Sequence, residues 1–223
     1  MHQKILTMKK QKYLLSLTMM LIAFAGCKKD PEPTIEDPVT YPDFSQLKVG
    51  NYWIYQQFKI DANGIATATE TYDSCYVEKD TVINGNTYAK VFRQNLYTPQ
   101  QKYVFLRDSL HYTVNSSGII EFSSEDFSTV FNSYSVLAGP DTVCQVIRKM
   151  TDPNLNVIVP AGTFTTSDCR ETYYMYPNWT NAGVERYKHN RYSENVGVVV
   201  ETLPFYASNP EYVERRLVRY QVN

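Results

Sequence analysis

Side chains that could act as a nucleophile or a general base are few in this chain. Beyond residue 2, the histidines are His111 and His189, which stand far apart in the sequence. Nucleophilic catalysis would need one of them beside an activated hydroxyl or thiol, and no G-x-S-x-G turn presents such a group. We therefore expect both histidines to be half-exposed strand residues, and we predict that the protein is not an enzyme.

Carboxylates offer a second route to chemistry. A glycosidase needs two acids at a suitable separation in space, and no motif marks them. Nothing in the sequence singles out two of the candidates, so a hydrolase is the least favoured function. The candidates are Asp168, Glu171, Glu185 and Glu194.

The cysteines carry no metal or redox signature. Apart from Cys27, the chain has Cys75, Cys144 and Cys169, an odd number without C-x-x-C spacing. Two alternatives remain open: either two of these cysteines form a disulfide and the third is free, or all three are buried thiols. We expect no metal and no cofactor.

An aromatic run at residues 173–179, followed by Tyr187 and Tyr192, is the most suggestive binding element. Aromatic rings on a β-scaffold can stack on sugars while their polar ends form hydrogen bonds. Tyr173, Tyr176 and Trp179 are therefore the candidate glycan-binding residues. The alternative, which the 19 tyrosines of the chain favour, is that these rings simply cover both faces of a sheet.

The residues before Cys27 have the pattern of an export signal. Three lysines at positions 9, 10 and 12 precede an apolar stretch at residues 13–24, and Ala25 and Gly26 provide small residues for cleavage. Twelve apolar residues are too few to span a bilayer, which needs about 20. Residues 1–26 are therefore predicted to be a signal peptide.

The run AFAGC at residues 23–27 resembles a bacterial lipobox. The resemblance implies that the Cys27 thiol receives a diacylglyceryl group, that the leader is then removed and that the new N-terminus is acylated. Cys27 is thus the predicted lipid-attachment residue, and the membrane is a predicted partner through this lipid.

Residues 27–47 have the composition of a flexible tether. They are rich in proline and acids and contain few large apolar residues, which favours a semi-extended spacer. Lys28, Lys29 and Asp30 after the cysteine resemble the surface-export signal of Bacteroidota lipoproteins. The resemblance implies an outer-membrane protein anchored at the cell surface or, failing that, on the periplasmic face.

Charge argues against nucleic acid as a partner. Residues 1–26 hold four lysines and no acid, so the cleaved chain keeps 18 basic and 23 acidic residues. Nucleic acids are bound through clustered lysine and arginine. The densest basic cluster, Arg215, Arg216 and Arg219, lies in an alternating strand pattern and is expected to form a solvated face.

Residues 48–223 have the length of a single domain and the composition of an all-β protein. Apolar residues alternate in short runs, and turn signals recur every 8 to 12 residues or so, as in Asn84-Gly85. This pattern predicts an antiparallel meander curled into a barrel or half-barrel. The strands are predicted at residues 52–60, 69–79, 88–94, 103–107, 110–114, 143–151, 156–159, 169–176, 184–192, 197–203 and 212–222.

Residues 123–134 break the strand pattern. Phe127, Val130, Phe131 and Tyr134 have helical spacing, and Ser123 or Ser124 could cap the helix. The segment is therefore either one short helix or an irregular loop that packs two aromatic rings on the core.

Three runs give a family resemblance: VGNYW at residues 49–53, VPAGTF at 159–164 and ENVGVV at 194–199. They resemble a group of Bacteroidota lipoproteins of unknown function with a PAGTF-type segment. That resemblance implies a curled sheet loosely like the LolA-type carriers and supplies no catalytic residues. Gly162 and Gly197 suit turns or close backbone approach.

Three Asp-Ser/Thr pairs resemble the Bacteroidota O-glycosylation pattern, with Thr81, Ser109 and Thr142 as the acceptors. Each is predicted at a turn or strand edge, where an enzyme could reach it.

The function favoured by these patterns is a lipid-anchored, non-catalytic binding or accessory domain, with an apolar molecule or a protein as its partner. A glycan-binding surface lipoprotein is the alternative.

Overall fold

Alternating side chains along the chain produce a long series of strands. The computed structural model describes residues 39–94, 101–203 and 209–223. The strands are β1 Tyr52–Ile60, β2 Ala66–Ile83, β3 Asn86–Gln94, β4 Gln101–Ser109, β5 Tyr112–Asn115, β6 Ile120–Ser123, β7 Asn132–Ala138, β8 Asp141–Val159, β9 Gly162–Met175, β10 Glu185–Lys188, β11 Asn190–Ser193, β12 Gly197–Thr202 and β13 Tyr212–Gln221, with a 3₁₀ segment at Pro177–Ala182.

The described strands form one antiparallel sheet in the order β6-β5-β4-β3-β2-β1-β13-β12-β11-β9-β8-β7, with β10 paired to β9. This sheet curls into a nearly closed, barrel-like structure, so the predicted fold class is confirmed. The first and last strands pair at its centre, where Asn223 donates from its backbone and side-chain nitrogens to Asn51 Oδ1 at 3.0 and 3.1 Å. Strands β6 and β7 are the two edges.

Local turn chemistry fixes the register of the first hairpins. Asn84 and Gly85 both have positive φ, at 49° and 79°, and join β2 to β3 as the sequence predicted. The next turn differs from the prediction, because the chain reverses at Leu110 and His111 and not at residues 108–109. Leu110 takes a φ of 56° there.

Strand β8 corrects another prediction. Residues 143–151 and 156–159 were predicted as separate strands, yet both belong to β8, which continues through an irregularity between Thr151 and Leu155. Asp152 and Asn154 have positive φ there, so turn-forming residues produce a bulge and no reversal. Conversely, the single strand predicted at 184–192 is divided into β10 and β11.

The segment between β6 and β7 is a loop and contains no helix, so the loop alternative is correct. Ser123 Oγ accepts the backbone N–H groups of Glu125 and Asp126, at 3.2 and 2.9 Å. Asp126 then accepts those of the residues two and three positions later. Such side-chain acceptors replace the helical ladder, while Phe127 and Phe131 pack against the core.

The described residues form three core clusters inside the curled sheet, and each contains one buried cysteine. Cys75, Cys169 and Cys144 lie in separate clusters as free thiols. The described structure thus favours the three-thiol alternative. Close packing explains Gly197: a Cβ there would lie 3.1 Å from the Trp53 indole, as the prediction of close backbone approach requires.

The folded domain begins before residue 48. Phe44 packs on Phe122 with ring centroids 5.0 Å apart, and the Asp43 carbonyl accepts the Asn195 N–H at 2.8 Å. The compact unit starts at Thr40, so the end of the predicted tether belongs to the domain. The signal peptide and Cys27 lie outside the described residues. Within the described ranges, no helix has the length and hydropathy needed to cross a membrane.

Candidate functional site

A buried ion-pair network occupies the inner face of β2, β12 and β13. The Arg215 side chain is 4% exposed; its Nη1 lies 3.0 Å from Asp73 Oδ1, and its Nε lies 2.8 Å from Glu201 Oε2. The guanidinium also stacks over the Tyr55 ring, 4.7 Å from its centroid. The predicted solvated face is thus wrong for Arg215, because this residue shares the inward face with Leu217, whereas Arg219 is exposed.

Burial and the neighbouring charges shift the pKa values of the side chains in this network. Burial alone would raise the pKa of Glu201, but Arg215 and Arg93 lower it to about 2. Burial raises the pKa of Asp73, although Arg215 opposes this shift. Arg215 itself has a raised pKa because the attraction of Glu201 and Asp73 exceeds the cost of burial. Glu201 and Arg215 therefore form a charged pair at neutral pH.

A second network joins the edge strand β6 to β8 and β9. Arg148 binds Glu121 at 2.8 Å and Glu171 through Nε at 3.0 Å. Lys188 Nζ lies 3.5 Å from Glu171, and Tyr173 donates its hydroxyl to the same carboxylate at 3.0 Å. Burial opposes ionisation of Glu171, but Lys188 and Arg148 lower its pKa. These contacts hold the curled sheet nearly closed.

The interior leaves little room for a ligand. A cavity of about 30 Å³ lies against Trp53, Tyr55, Arg93 and Arg215. Small-molecule sites usually measure about 300–1,000 Å³, whereas a single water needs about 10–15 Å³. This cavity has room for water and none for an acyl chain. This interior cavity is therefore too small for the cargo of a carrier of apolar molecules.

His111 contacts a serine, which superficially suggests a nucleophile and its base. His111 Nδ1 is 2.9 Å from Ser123 Oγ. Ser123 is 0% exposed, however, and its oxygen also accepts two backbone N–H groups in the loop described above. A surface cleft of about 250 Å³ is lined by His111 and Ser124 but not by Ser123. The contact is therefore a structural capping interaction.

His189 contacts a buried acid. Its Nδ1 lies 2.5 Å from Asp168 Oδ2, and Asp168 Oδ1 accepts the Asn190 N–H at 3.0 Å. The pair holds the chain where β10 passes into β11. Arg191 Nη2 lies 3.5 Å from the same nitrogen, so the imidazole lies between an acid and a cation.

The four candidate acids occupy different places. Asp168 pairs with His189, and Glu171 pairs with Arg148 on the inner face. Glu185 is exposed on the outer face, and Glu194 is exposed in the turn before β12. Among the described contacts, no two of them share a partner.

The candidate aromatic residues are divided between core and surface. Tyr173 and Trp179 are half-buried against the cluster of Val143, Cys144, Val146 and Met175, whereas Tyr176 is 47% exposed. The exposed rings that share a strand face are Tyr174 and Tyr187, each 41% exposed. Strand alternation could have indicated Tyr174 once the inward direction of Tyr173 was known.

The glycosylation candidates are all half-buried. Thr81 lies within β2 with a buried hydroxyl oxygen. Ser109 is the last residue of β4, and Thr142 is the second residue of β8. Their modification remains a prediction.

No family model and no curated protein matches the chain. Among solved structures, the chain is similar to a protein from Bacteroides fragilis described as exported and as having a YmcC-like fold, with 13% identity and a TM-score of 0.47 over 81% of this chain and 100% of that chain. A protein from Parabacteroides distasonis described as a lipoprotein gives 14% identity and a TM-score of 0.44 over 82% and 100%, respectively. Similarity at this level assigns no ligand and no activity.

Proposed function

We propose that this protein is a lipoprotein of the outer membrane, anchored through Cys27, whose β domain is a non-catalytic binding or accessory module at the cell surface. The leader, the lipobox-like run and the proline-rich tether support the anchor. The acidic balance of the cleaved chain disfavours nucleic acid as its partner.

One structural observation supports a binding module over a carrier: the interior cavity beside Trp53 and Tyr55 is small. This cavity of about 30 Å³ is too small for an apolar cargo. The buried carboxylates Asp73, Glu171 and Glu201 are each engaged by arginine or lysine. Partners are therefore expected on the outer surface, and the part of the predicted tether that precedes the compact unit at Thr40 would hold the domain away from the membrane.

The anchor is tested by replacing the lipidated residue. In Cys27→Ser, we expect the protein to leave the membrane fraction and become soluble. Cys144→Ser is the matched control, because it removes a thiol buried in the core and should leave the protein in the membrane fraction. Membrane association of Cys27→Ser would contradict the proposed anchor.

The location is tested by adding protease to intact cells. Wild-type protein should be cleaved, and the Lys29→Ala, Asp30→Ala double variant should be protected. Protection of both proteins would place the domain in the periplasm and refute the surface location. Cleavage of both would show that these two residues do not direct export to the surface.

A further inference from the structure

The outer face of β8, β9 and β10 carries two exposed aromatic rings on neighbouring strands. Tyr174 lies opposite Glu185, and Tyr187 lies opposite Thr172, so the two tyrosines are diagonal neighbours on one face. Diagonal side chains of an antiparallel pair are about 7–8 Å apart, within reach of one ligand. Exposed aromatic rings that share a face are more informative than isolated apolar residues.

Contacts within this face hold one ring in place. The Tyr187 hydroxyl donates to Glu185 Oε2 at 2.7 Å, and the Arg170 guanidinium lies 5.0 Å from the centroid of the Tyr187 ring. The carboxylate and the guanidinium fix the hydroxyl and the ring on the sheet surface. A ring held in this way loses little conformational entropy when a ligand covers it.

Neutral hydrogen-bonding groups continue the face toward the sheet edge. Gln145 lies opposite Tyr174 on β8. It accepts the Ser135 hydroxyl at 2.8 Å and donates to Ser133 Oγ at 2.7 Å. Both serines are exposed on β7. The face thus combines two aromatic surfaces, an amide and two hydroxyls with the charged Glu185 and Arg170 side chains that hold Tyr187 in place.

We propose that this face, defined by Tyr174, Tyr187, Gln145, Ser133 and Ser135, binds a neutral oligosaccharide. The apolar faces of sugar rings would cover the tyrosines, and sugar hydroxyls would exchange hydrogen bonds with the amide and the serines. This assignment rests on the proposed function, because it names the ligand class of the surface module. It moves the predicted glycan site from Tyr173 and Trp179, which pack on the core, to the neighbouring outward-facing tyrosines.

The experiment uses the purified full chain and an array of neutral gluco-, manno- and galacto-configured oligosaccharides, followed by calorimetric titration of those bound. Each of the substitutions Tyr174→Ala and Tyr187→Ala removes one of the two rings that the sugar would cover, and with it about half of the aromatic area buried on binding. Each should therefore weaken binding roughly fivefold or more. The double variant should show no measurable binding. Tyr187→Phe keeps the ring and should retain most of the affinity.

Tyr72→Ala is the matched control, because Tyr72 is a strand tyrosine that is 50% exposed on β2, away from this face. It should bind as the wild type does, and thermal unfolding should show that all variants remain folded. The inference is overturned if the wild type binds no neutral oligosaccharide or if the folded double variant binds with wild-type affinity. The Cys27 and protease experiments do not depend on sugar binding, so they judge the proposed function separately.

Discussion

Replacing Arg215 with methionine should strongly destabilise the domain, because it leaves the carboxylates of Asp73 and Glu201 buried without their main partner. Removing one member of a buried ion pair typically costs about 3–5 kcal/mol. The pKa of Glu201 gives a similar magnitude: its fall from an ordinary value of 4.5 to about 2 corresponds to about 3 kcal/mol, at 1.36 kcal/mol per pKa unit. We therefore expect the free energy of unfolding to fall by about 3–5 kcal/mol at pH 7.

The loss of unfolding free energy in Arg215→Met should become smaller as the pH falls. A lowered pKa of Glu201 stabilises the wild type fully above pH 4.5, and this stabilisation is lost as the pH falls toward 2. In Arg215→Met, the pKa of Glu201 should rise, since burial then lacks its main opponent. Protonation of Glu201 at low pH then removes its unpaired charge. The difference in the free energy of unfolding between variant and wild type should therefore be smaller at pH 3 than at pH 7.

Urea unfolding of the purified protein at pH 7 and pH 3 measures both effects. Arg216→Met is the matched control, because Arg216 is the next residue of β13, is more exposed, and pairs with Glu214 at 2.9 Å. It should cost about 0.2–1 kcal/mol. Equal losses in the two variants at pH 7, or a loss in Arg215→Met that is the same at both pH values, would refute the ion-pair reasoning.

Three further changes test the packing. Gly197→Ala should lower the free energy of unfolding by about 2 kcal/mol, since the new Cβ would meet the Trp53 ring at 3.1 Å and φ is +96°; denaturant titration that shows no loss would contradict this close approach. Ser123→Ala should cost about 1 kcal/mol through loss of the loop cap, measured in the same way, and an unchanged midpoint would show that the cap is dispensable. Phe44→Ala should cost about 2–3 kcal/mol because its ring packs on Phe122, and a thermal midpoint equal to that of wild type would mean that the domain does not need this segment.

Much of the fold could be predicted because strand periodicity and turn chemistry agree along most of the chain. β1 and the Asn84-Gly85 hairpin follow the prediction directly. Predictions were wrong where one local sequence pattern is compatible with two backbone structures. Asp152 and Asn154 favour positive φ, which suits a turn or a bulge, and only pairing with β9 selects the bulge.

The proposed binding face was harder to predict, because alternation gives a strand two faces without indicating which one is buried. Tyr173 and Tyr174 are the same residue type at neighbouring positions, so the sequence does not distinguish them. The structure shows that Tyr173 faces inward, because its hydroxyl donates to Glu171. Arg215 illustrates the same difficulty in reverse. Its charge suggested solvent, but its place two residues before the fully buried Leu217 puts it inside the sheet.

The pairing of β1 with β13 can form only after the last strand has been synthesised. The strands from β1 to β6 and those from β7 to β13 form two halves, which are built mainly from neighbours in sequence and joined along the sheet path at β1 and β13. That seam brings Asn51 against Asn223 and cannot form until the C-terminal residues have been synthesised. β1 is paired with β2 on one side, so a nascent chain carries a central strand with one open edge until its last segment is available.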